Sequence, residues 1–122
     1  MGLEIHSEGV LNANGEEQVV TEITETSQFS GYISLSNLQT EEGVTLRQYI
    51  KLLDTYEKYA EEVYSGIQAF PMVCFAPKNL VSFGCKVTLE QTSGSFRSFR
   101  YKFIKVIMDT GVLLEDNFLQ LR

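Results

Sequence analysis

Residues 83–107, with the sequence FGCKVTLEQTSGSFRSFRYKFIKVI, constrain the fold most strongly, because apolar and polar side chains alternate along two stretches. A period of two gives a β-strand one buried face and one solvated face. The sequence SGS at 93–95 separates the stretches, and its glycine accepts the positive φ angle that a tight turn needs. The pattern predicts a hairpin of two long strands, with Phe99, Tyr101 and Phe103 on one face of the second.

Further strands are predicted by the same alternation elsewhere in the chain. The most regular stretch is 29–36, while 17–24 is rich in β-branched residues and places Val19, Thr21 and Ile23 on one face. Outside 83–107 and 44–66, the predicted strands span 3–11, 17–24, 29–36 and 71–75.

Two prolines, Pro71 and Pro77, bracket the apolar stretch 71–75. Proline has no N–H group to donate to a sheet ladder, so prolines are confined to edge strands. The sequence therefore predicts a short edge strand here, followed by a loop at 76–79.

Residues 44–66 fit two patterns. Apolar side chains such as Leu46, Tyr49 and Leu53 recur at helical spacing, which by itself predicts one amphipathic helix. The alternative is a pair of strands that reverses at Asp54-Thr55, where no glycine supports a turn. Periodicity alone favours the helix.

The composition sets broad limits on function. A chain of 122 residues with 43% apolar and 21% charged residues is expected to form one globular domain. A net charge of −6 argues against a general affinity for nucleic acid or for anionic membranes. No segment has the pattern of a signal peptide or a membrane span, so we expect a protein of the cytoplasm or of a particle assembled there.

Two cysteines, Cys74 and Cys85, are expected on neighbouring strands, where a single disulfide is geometrically feasible. Without an export signal, two buried reduced thiols are the favoured interpretation. A zinc site needs three or four converging ligands, and His6 is the one histidine in the sequence. No metal or cofactor is expected.

Catalytic motifs are not recognisable in the sequence, which contains no phosphate-binding glycine loop, nucleophile elbow or Cys–His pair. His6 is expected to have a surface or capping role. The adjacent carboxylates Glu41-Glu42 and Glu61-Glu62 would point to opposite faces of a strand, so we expect them to be solvated. The sequence predicts a protein that is not an enzyme.

One candidate interface combines a cluster of basic residues with an apolar C-terminal segment. A solvated outer face is the favoured interpretation of the basic residues, and the alternative is a strip that docks on an acidic protein surface. The apolar residues would close the sheet or dock on a neighbour. The candidate residues are Arg97, Arg100, Lys102, Lys105, Val112, Leu113, Leu114, Phe118, Leu119 and Leu121.

The tyrosines suggest a second candidate site. Tyr56, Tyr59 and Tyr64 lie close together in sequence and could form a platform on which sugars stack. Burial in the core or in an interface is the favoured interpretation, since tyrosine is equally common there.

Several motifs occur in a fixed order between residues 15 and 104. The motifs are G-x-E-Q at 15–18, GYISLSNL at 31–38, VTLRQYIK at 44–51, YAEEVYSG at 59–66 and FGCKVTLEQTSGSFRSF at 83–99. These motifs, in this order, resemble those of a family of small proteins from tailed phages and archaeal viruses or proviruses. The genes of that family usually lie near virion structural genes. In that family the region after the R-x-Y-(V/I)-K motif usually holds glycines, which disfavours a helix. The resemblance therefore favours two strands within 44–66, although LDT stands at 53–55 in place of the glycine turn.

The resemblance implies a non-enzymatic structural protein of the virion, most specifically a capsid decoration (cement) protein or the base of a head fibre. Its expected fold is one antiparallel β-sandwich of about eight strands, in the manner of a jelly roll. Such modules usually attach at symmetry axes, so the expected partners are further copies, as a homotrimer, and a major capsid or other virion protein. Segments 1–14 and 105–122 lie outside the match and are expected to be partner-contacting arms. The alternative function is a carbohydrate-binding or host-surface-binding β-sandwich.

Overall fold

The computed structural model describes residues 2–24, 27–81 and 84–107, and all regular structure in these ranges is β-strand. The strands are β1 (Gly2–Asn12), β2 (Gln18–Ile23), β3 (Ser27–Ser34), β4 (Gly43–Leu52), β5 (Thr55–Ser65), β6 (Met72–Val81), β7 (Cys85–Ser93) and β8 (Ser98–Ile107). None of the described residues belongs to a helix that could cross a lipid bilayer. The prediction of an all-β chain with about eight strands is confirmed.

The strands form two antiparallel four-stranded sheets. The front sheet has the order β1-β8-β3-β6, and the back sheet has the order β2-β7-β4-β5. Apolar side chains from both sheets meet between them and exclude water, which is the main source of stability in a sandwich. The core consists of Ala13, Val20, Ile23, Phe29, Ile33, Leu35, Leu38, Val44, Leu46, Cys85, Val87, Leu89, Phe99 and Phe103.

The strands pair as in one long antiparallel hairpin whose turn lies between β4 and β5, and we call this hairpin the ribbon. Strand β4 pairs with β5, β3 with β6, β2 with β7 and β1 with β8. Rolling this ribbon places alternate pairs in opposite sheets, which is the topology of the eight-stranded jelly roll. The expected jelly-roll form of the sandwich is therefore present.

The prediction that residues 83–107 form a hairpin is wrong, because β7 and β8 lie in different sheets and do not pair with each other. Residues 94–97 cross from the back sheet to the front sheet. The buried amide of Gln91 holds this crossing in place: its Nε2 donates to the carbonyl oxygens of Ser93 and Ser95, and its Oε1 accepts from the Arg97 N–H. Alternation identified both strands and their buried faces, but a period of two carries no information about which strand pairs with which.

Two strands occupy the region in which a helix competed with a hairpin. Strands β4 and β5 pair along their whole length, with a bulge between Gln48 and Tyr49. The reversal falls one residue earlier than the predicted Asp54-Thr55, since Leu53 takes the left-handed conformation with φ of 57° and its side chain is 99% exposed. The helical spacing is coincidental: residues 43–46 and Gln48 of β4 are buried, and Val44 and Leu46 belong to the core between the sheets.

Two other local predictions are wrong. Strand β6 is an edge strand, as its prolines indicated, but it continues to Val81 and replaces the loop predicted at 76–79. In β2 a bulge between Val19 and Thr21 leaves Val19 52% exposed and buries Val20. A bulge adds one residue to one strand, so it reverses the face of the residues on one side of it.

The two cysteines are not on neighbouring strands, because β6 carries Cys74 in the front sheet and β7 carries Cys85 in the back sheet. Cys85 is a buried free thiol. Burial raises the pKa of this thiol, and the side-chain amide of Gln48 donates to its sulfur at 3.3 Å. The side chain of Cys74 lies outside the described part of the structure.

Candidate functional site

Each sheet turns one face to the core and one to solvent, and the two outer faces differ in chemistry. We call the outer face of the back sheet the back face and that of the front sheet the front face. Charged side chains on the back face bind one another. The front face combines exposed apolar residues with two cations that have no partner among the described residues.

Arg47 on β4 is the centre of the back face. Its Nε donates to Glu61 on β5 at 2.8 Å, and its Nη1 donates to Glu90 on β7 at 2.8 Å. The carboxylate of Glu17 lies 3.6 Å from the same Nη1. These contacts raise the pKa of Arg47, and the hydrogen bond from Arg47 lowers the pKa of Glu61. One guanidinium thus links three segments of the chain across the back sheet.

Glu17, from the connection between β1 and β2, is bound onto the same face. It accepts hydrogen bonds from the hydroxyls of Thr88 and Tyr49, each at 2.6 Å. Both bonds favour the ionised carboxylate, so they lower the pKa of Glu17, with Thr88 the larger cause. The bond to Glu17 in turn raises the pKa of Tyr49.

Lys86 on β7 completes this network through two aromatic rings. Its Nζ lies 4.9 Å from the ring centroid of Tyr49 and 4.7 Å from that of Tyr56, within the range of cation–π attraction. The hydroxyl of Tyr56 donates to Glu22 at 2.6 Å, and burial together with this bond raises the pKa of Tyr56. Both rings are therefore engaged within the protein.

The structure does not bring the three candidate tyrosines together as a platform. Tyr56 is held on the back face by Glu22 and Lys86, as described above. Tyr64 packs half-buried against the core, and Tyr59 is 58% exposed at the bulge of β5. A flat sugar ring would find no common surface formed by these three side chains.

The front face is apolar near the start of β1. Leu3 lies opposite Val106, and Ile5 lies opposite Ile104. Leu3 is 72% exposed and Ile5 is 49% exposed. A cavity of about 130 Å³ opens here; its lining consists of Leu3, Gln28, Phe29, Ser30, Ile104, Lys105 and Val106. Grouped apolar residues on an outer sheet face are typical of an interaction surface.

The other half of the front face carries Arg100 and Lys102 on β8. In register they lie opposite Val10 and Glu8 of β1, and both side chains are exposed. They border an open hollow of about 440 Å³. Its lining consists of Tyr32, Ser34, Ser36, Pro71, Met72, Arg100, Tyr101 and Lys102. Two cations, several hydroxyls and an apolar wall meet in this hollow.

The four basic residues of the candidate interface separate into three environments. Arg97 binds Glu42 at the end of the sandwich, and Lys105 lies 3.4 Å from Glu4. Arg100 and Lys102 alone share the hollow. The four residues therefore do not form one continuous strip, because Arg97 and Lys105 are held by carboxylates.

Glu42 is buried, contrary to the expectation that the adjacent carboxylates are solvated. Its side chain is 6% exposed and accepts from Arg97 through both carboxylate oxygens. Backbone N–H groups of Gln39 and Ser95 also donate to it. These bonds, above all those from Arg97, lower the pKa of Glu42 to about 2. Nothing in the sequence distinguished Glu42 from its exposed neighbour Glu41.

His6 contacts a backbone carbonyl and an aromatic ring. The Nε2 atom of His6 lies 2.7 Å from the carbonyl oxygen of Glu22, and its ring contacts the edge of Phe29. Within the described ranges, no group of three or more His, Cys, Asp and Glu side chains could hold a metal ion. The apolar candidates of the C-terminal segment (Val112, Leu113, Leu114, Phe118, Leu119 and Leu121) lie outside the described residues.

No protein-family model, curated protein or solved structure matches the chain.

Proposed function

We propose that this protein is a non-enzymatic structural component of a viral particle, a capsid decoration protein or the base of a head fibre. It attaches through the front face and its terminal arms, and it assembles as a homotrimer or another cyclic oligomer. The observation that carries the proposal is the difference between the two outer faces of the sandwich.

The central charged groups of the back face already bind neighbouring side chains. Its central cations, Arg47 and Lys86, are already bound to carboxylates and tyrosine rings. A partner would have to break these contacts, and broken charged contacts in a partly buried setting are costly. The front face exposes Leu3 and Ile5, and its cations Arg100 and Lys102 have no charged partner among the described residues. An acidic surface with apolar residues could therefore bind this face without such a loss.

The fold and the motif resemblance support the viral assignment in different ways. Eight-stranded jelly rolls build many capsid domains, although they also build lectins, so the fold alone is an argument by analogy. The motif resemblance is to proteins of phages and archaeal viruses. An oligomer is expected because accessory modules of a symmetric shell usually match a symmetry axis of that shell.

Light scattering on the full-length protein and on Leu3→Glu tests the proposal. We expect a trimer or other closed oligomer that dissociates in Leu3→Glu, because a charge would enter the apolar half of the front face. Val63→Glu is the matched control, since Val63 is 64% exposed on β5, the edge strand of the back sheet. A wild-type protein that is monomeric at all concentrations would contradict the proposal.

A second candidate function is binding of carbohydrate or of a host surface, favoured by the hollow on the front face. Tyr32 there is 44% exposed, next to the hydroxyls of Ser34 and Ser36. An aromatic ring with nearby hydroxyls and cations suits an acidic sugar. Glycan-array binding that is lost in Tyr32→Ala but kept in Tyr59→Ala would support this function, and an array without binding would reject it.

A further inference from the structure

We infer that the front face binds residues 112–119 of this chain, VLLEDNFL, with the three apolar residues 112–114 on its apolar half and the carboxylates of residues 115–116 at Arg100 and Lys102. This inference goes beyond the proposed function and does not depend on a viral role. It commits to one occupant of the face, the segment of the same copy, which follows the end of β8 after only four residues.

Arg100 and Lys102 differ from the other described cations in their contacts. Most Lys and Arg side chains that the structure describes contact a carboxylate or a tyrosine ring: Arg47, Lys51, Lys58, Lys86, Arg97 and Lys105. Among those described side chains, Arg100 and Lys102 remain without either kind of contact, and they border the same hollow. In a chain of net charge −6, two adjacent unpaired cations favour an acidic occupant.

Apolar and basic side chains follow one another along β8 in the same order as apolar and acidic side chains in the segment. The strand ends at Ile107, and moving back from this end one meets first Val106 and Ile104, which face apolar residues of β1, and then Lys102 and Arg100. The segment has the same order in its sequence. Three apolar residues, 112–114, come first, and two carboxylates, 115–116, follow.

The segment is long enough, and close enough to β8 in sequence, to extend along the front face. Four residues, 108–111 with the sequence MDTG, separate the end of β8 from the segment, and glycine and aspartate favour a reversal there. An extended chain covers about 3.3 Å per residue, so eight residues span roughly 26 Å, most of the length of a ten-residue strand. A segment running back along β8 would bring its apolar residues to Val106 and its carboxylates to Lys102.

The two halves of the face would contribute differently to the contact. Exposed ion pairs add little affinity, so burial of Leu3 and Ile5 would supply most of it. The cations would set the direction of the segment, since a reversed segment would place its carboxylates on the apolar half.

Carbodiimide cross-linking of the full-length protein tests the inference, because this reagent joins an amine directly to a carboxylate in contact with it. We expect a link from Lys102 to Glu115 or Asp116, found by mass spectrometry. Trypsin cuts after Lys105, which separates the two linked peptides. Lys102→Arg keeps the charge but has no reactive amine, so the link must disappear. The pair Lys105–Glu4, 3.4 Å apart, is the internal positive control.

Chain proximity alone could bring a loose segment near Lys102, and a charge swap distinguishes this case from binding. We expect Arg100→Glu/Lys102→Glu and Glu115→Lys/Asp116→Lys each to lower the melting temperature, and the four-fold variant to recover most of the loss. Shifts that simply add, or a Lys102 link no stronger than one to Asp109, would overturn the inference.

Mixing chains labelled with ¹⁵N and unlabelled chains before cross-linking identifies the copy that supplies the segment. Links between labelled and unlabelled peptides would show that a second copy supplies the segment and would overturn the inference. Links within one isotope class would show that each copy covers its own front face, which is the result we expect. The light-scattering test above judges the proposed function separately.

Discussion

Arg97 donates to the Glu42 carboxylate through Nη2 at 2.7 Å and through Nε at 2.9 Å, and this pair ties the connection between β7 and β8 to the residues that precede β4. The crossing between the sheets is therefore fastened to the start of β4, which lies beside the end of β7 in the back sheet. Because Glu42 also accepts two backbone N–H groups, its carboxylate organises both loops.

Acid should weaken the fold through this carboxylate. The pKa of Glu42 lies at about 2, below its ordinary value of 4.5, so the unfolded chain takes up this proton at a higher pH than the folded chain does. The stabilisation is complete above about pH 4.5 and is lost as the pH falls towards 2. Urea unfolding at several pH values between about 6 and about 2, a range that covers this titration, should show the decline in the free energy of unfolding.

Glu42→Gln should unfold at a lower melting temperature at neutral pH, by about 5 °C, and should have a flatter acid profile. The profile will not be level, because the pKa values of Glu17 and Glu61 are lowered too. Glu41→Gln changes the exposed neighbouring carboxylate and serves as the control. Equal pH profiles for Glu42→Gln and the wild type would contradict the assignment.

A methyl group at Gly94 should be far more harmful than one at Gly66. Both glycines take positive φ angles, 83° and 73°. At Gly94 an added Cβ would overlap the side chain of Glu42, whereas nothing lies within 4 Å of the corresponding position at Gly66. Gly66→Ala should cost about 1 kcal/mol from backbone strain alone, and Gly94→Ala clearly more. Chemical denaturation of both variants measures the difference.

Gln48 and Gln91 form a matched pair of buried amides with opposite expected responses. Gln48 is 1% exposed, and its Oε1 has no hydrogen-bond partner among the described residues. Gln48→Leu should therefore raise the free energy of unfolding by about 1 kcal/mol. Gln91 uses its amide in three bonds to the β7–β8 connection, so Gln91→Leu should lower it by about 2 kcal/mol. Equal effects in urea titrations would argue against this interpretation.

Removal of the guanidinium from the back face should leave uncompensated carboxylates. Arg47→Met should lower the free energy of unfolding by about 1–2 kcal/mol, since Glu17, Glu61 and Glu90 would lose their shared partner. Lys58→Met removes a more exposed partner of Glu61 and should cost less than about 0.5 kcal/mol. Added salt should reduce the difference between the two variants, which a denaturation series in sodium chloride would measure.

Much of the fold was predictable from local pattern. Strands β1, β3, β7 and β8 were found by alternation, and the buried set Phe29, Ile33 and Phe103 lies on the predicted faces. Pairing was not predictable for β7 and β8, because a short polar connection suits a hairpin and a crossing between sheets equally well. Gln91, which favours the crossing, is an ordinary polar residue in the sequence.

The candidate surface was found only in part for a similar reason. A run of basic residues identified Arg100 and Lys102, but Arg97 and Lys105 belong to ion pairs with Glu42 and Glu4 that are distant in sequence. The contact of Lys86 with the rings of Tyr49 and Tyr56 forms because the sheet order brings three strands together. Such contacts depend on tertiary pairing and leave no periodic signal.

The rolled ribbon also determines when the chain can fold. Asn12 at the end of β1 meets Ser98 on β8, 86 residues later, and β8 is the one neighbour of β1 among the described strands of the front sheet. During synthesis, β4 and β5 can pair early, but β1 must wait unpaired until nearly the whole chain has left the ribosome. Contacts this distant in sequence make folding slow. The exposed edge of β1, with its apolar Leu3 and Ile5, is then the region of the nascent chain most open to aggregation or to a chaperone.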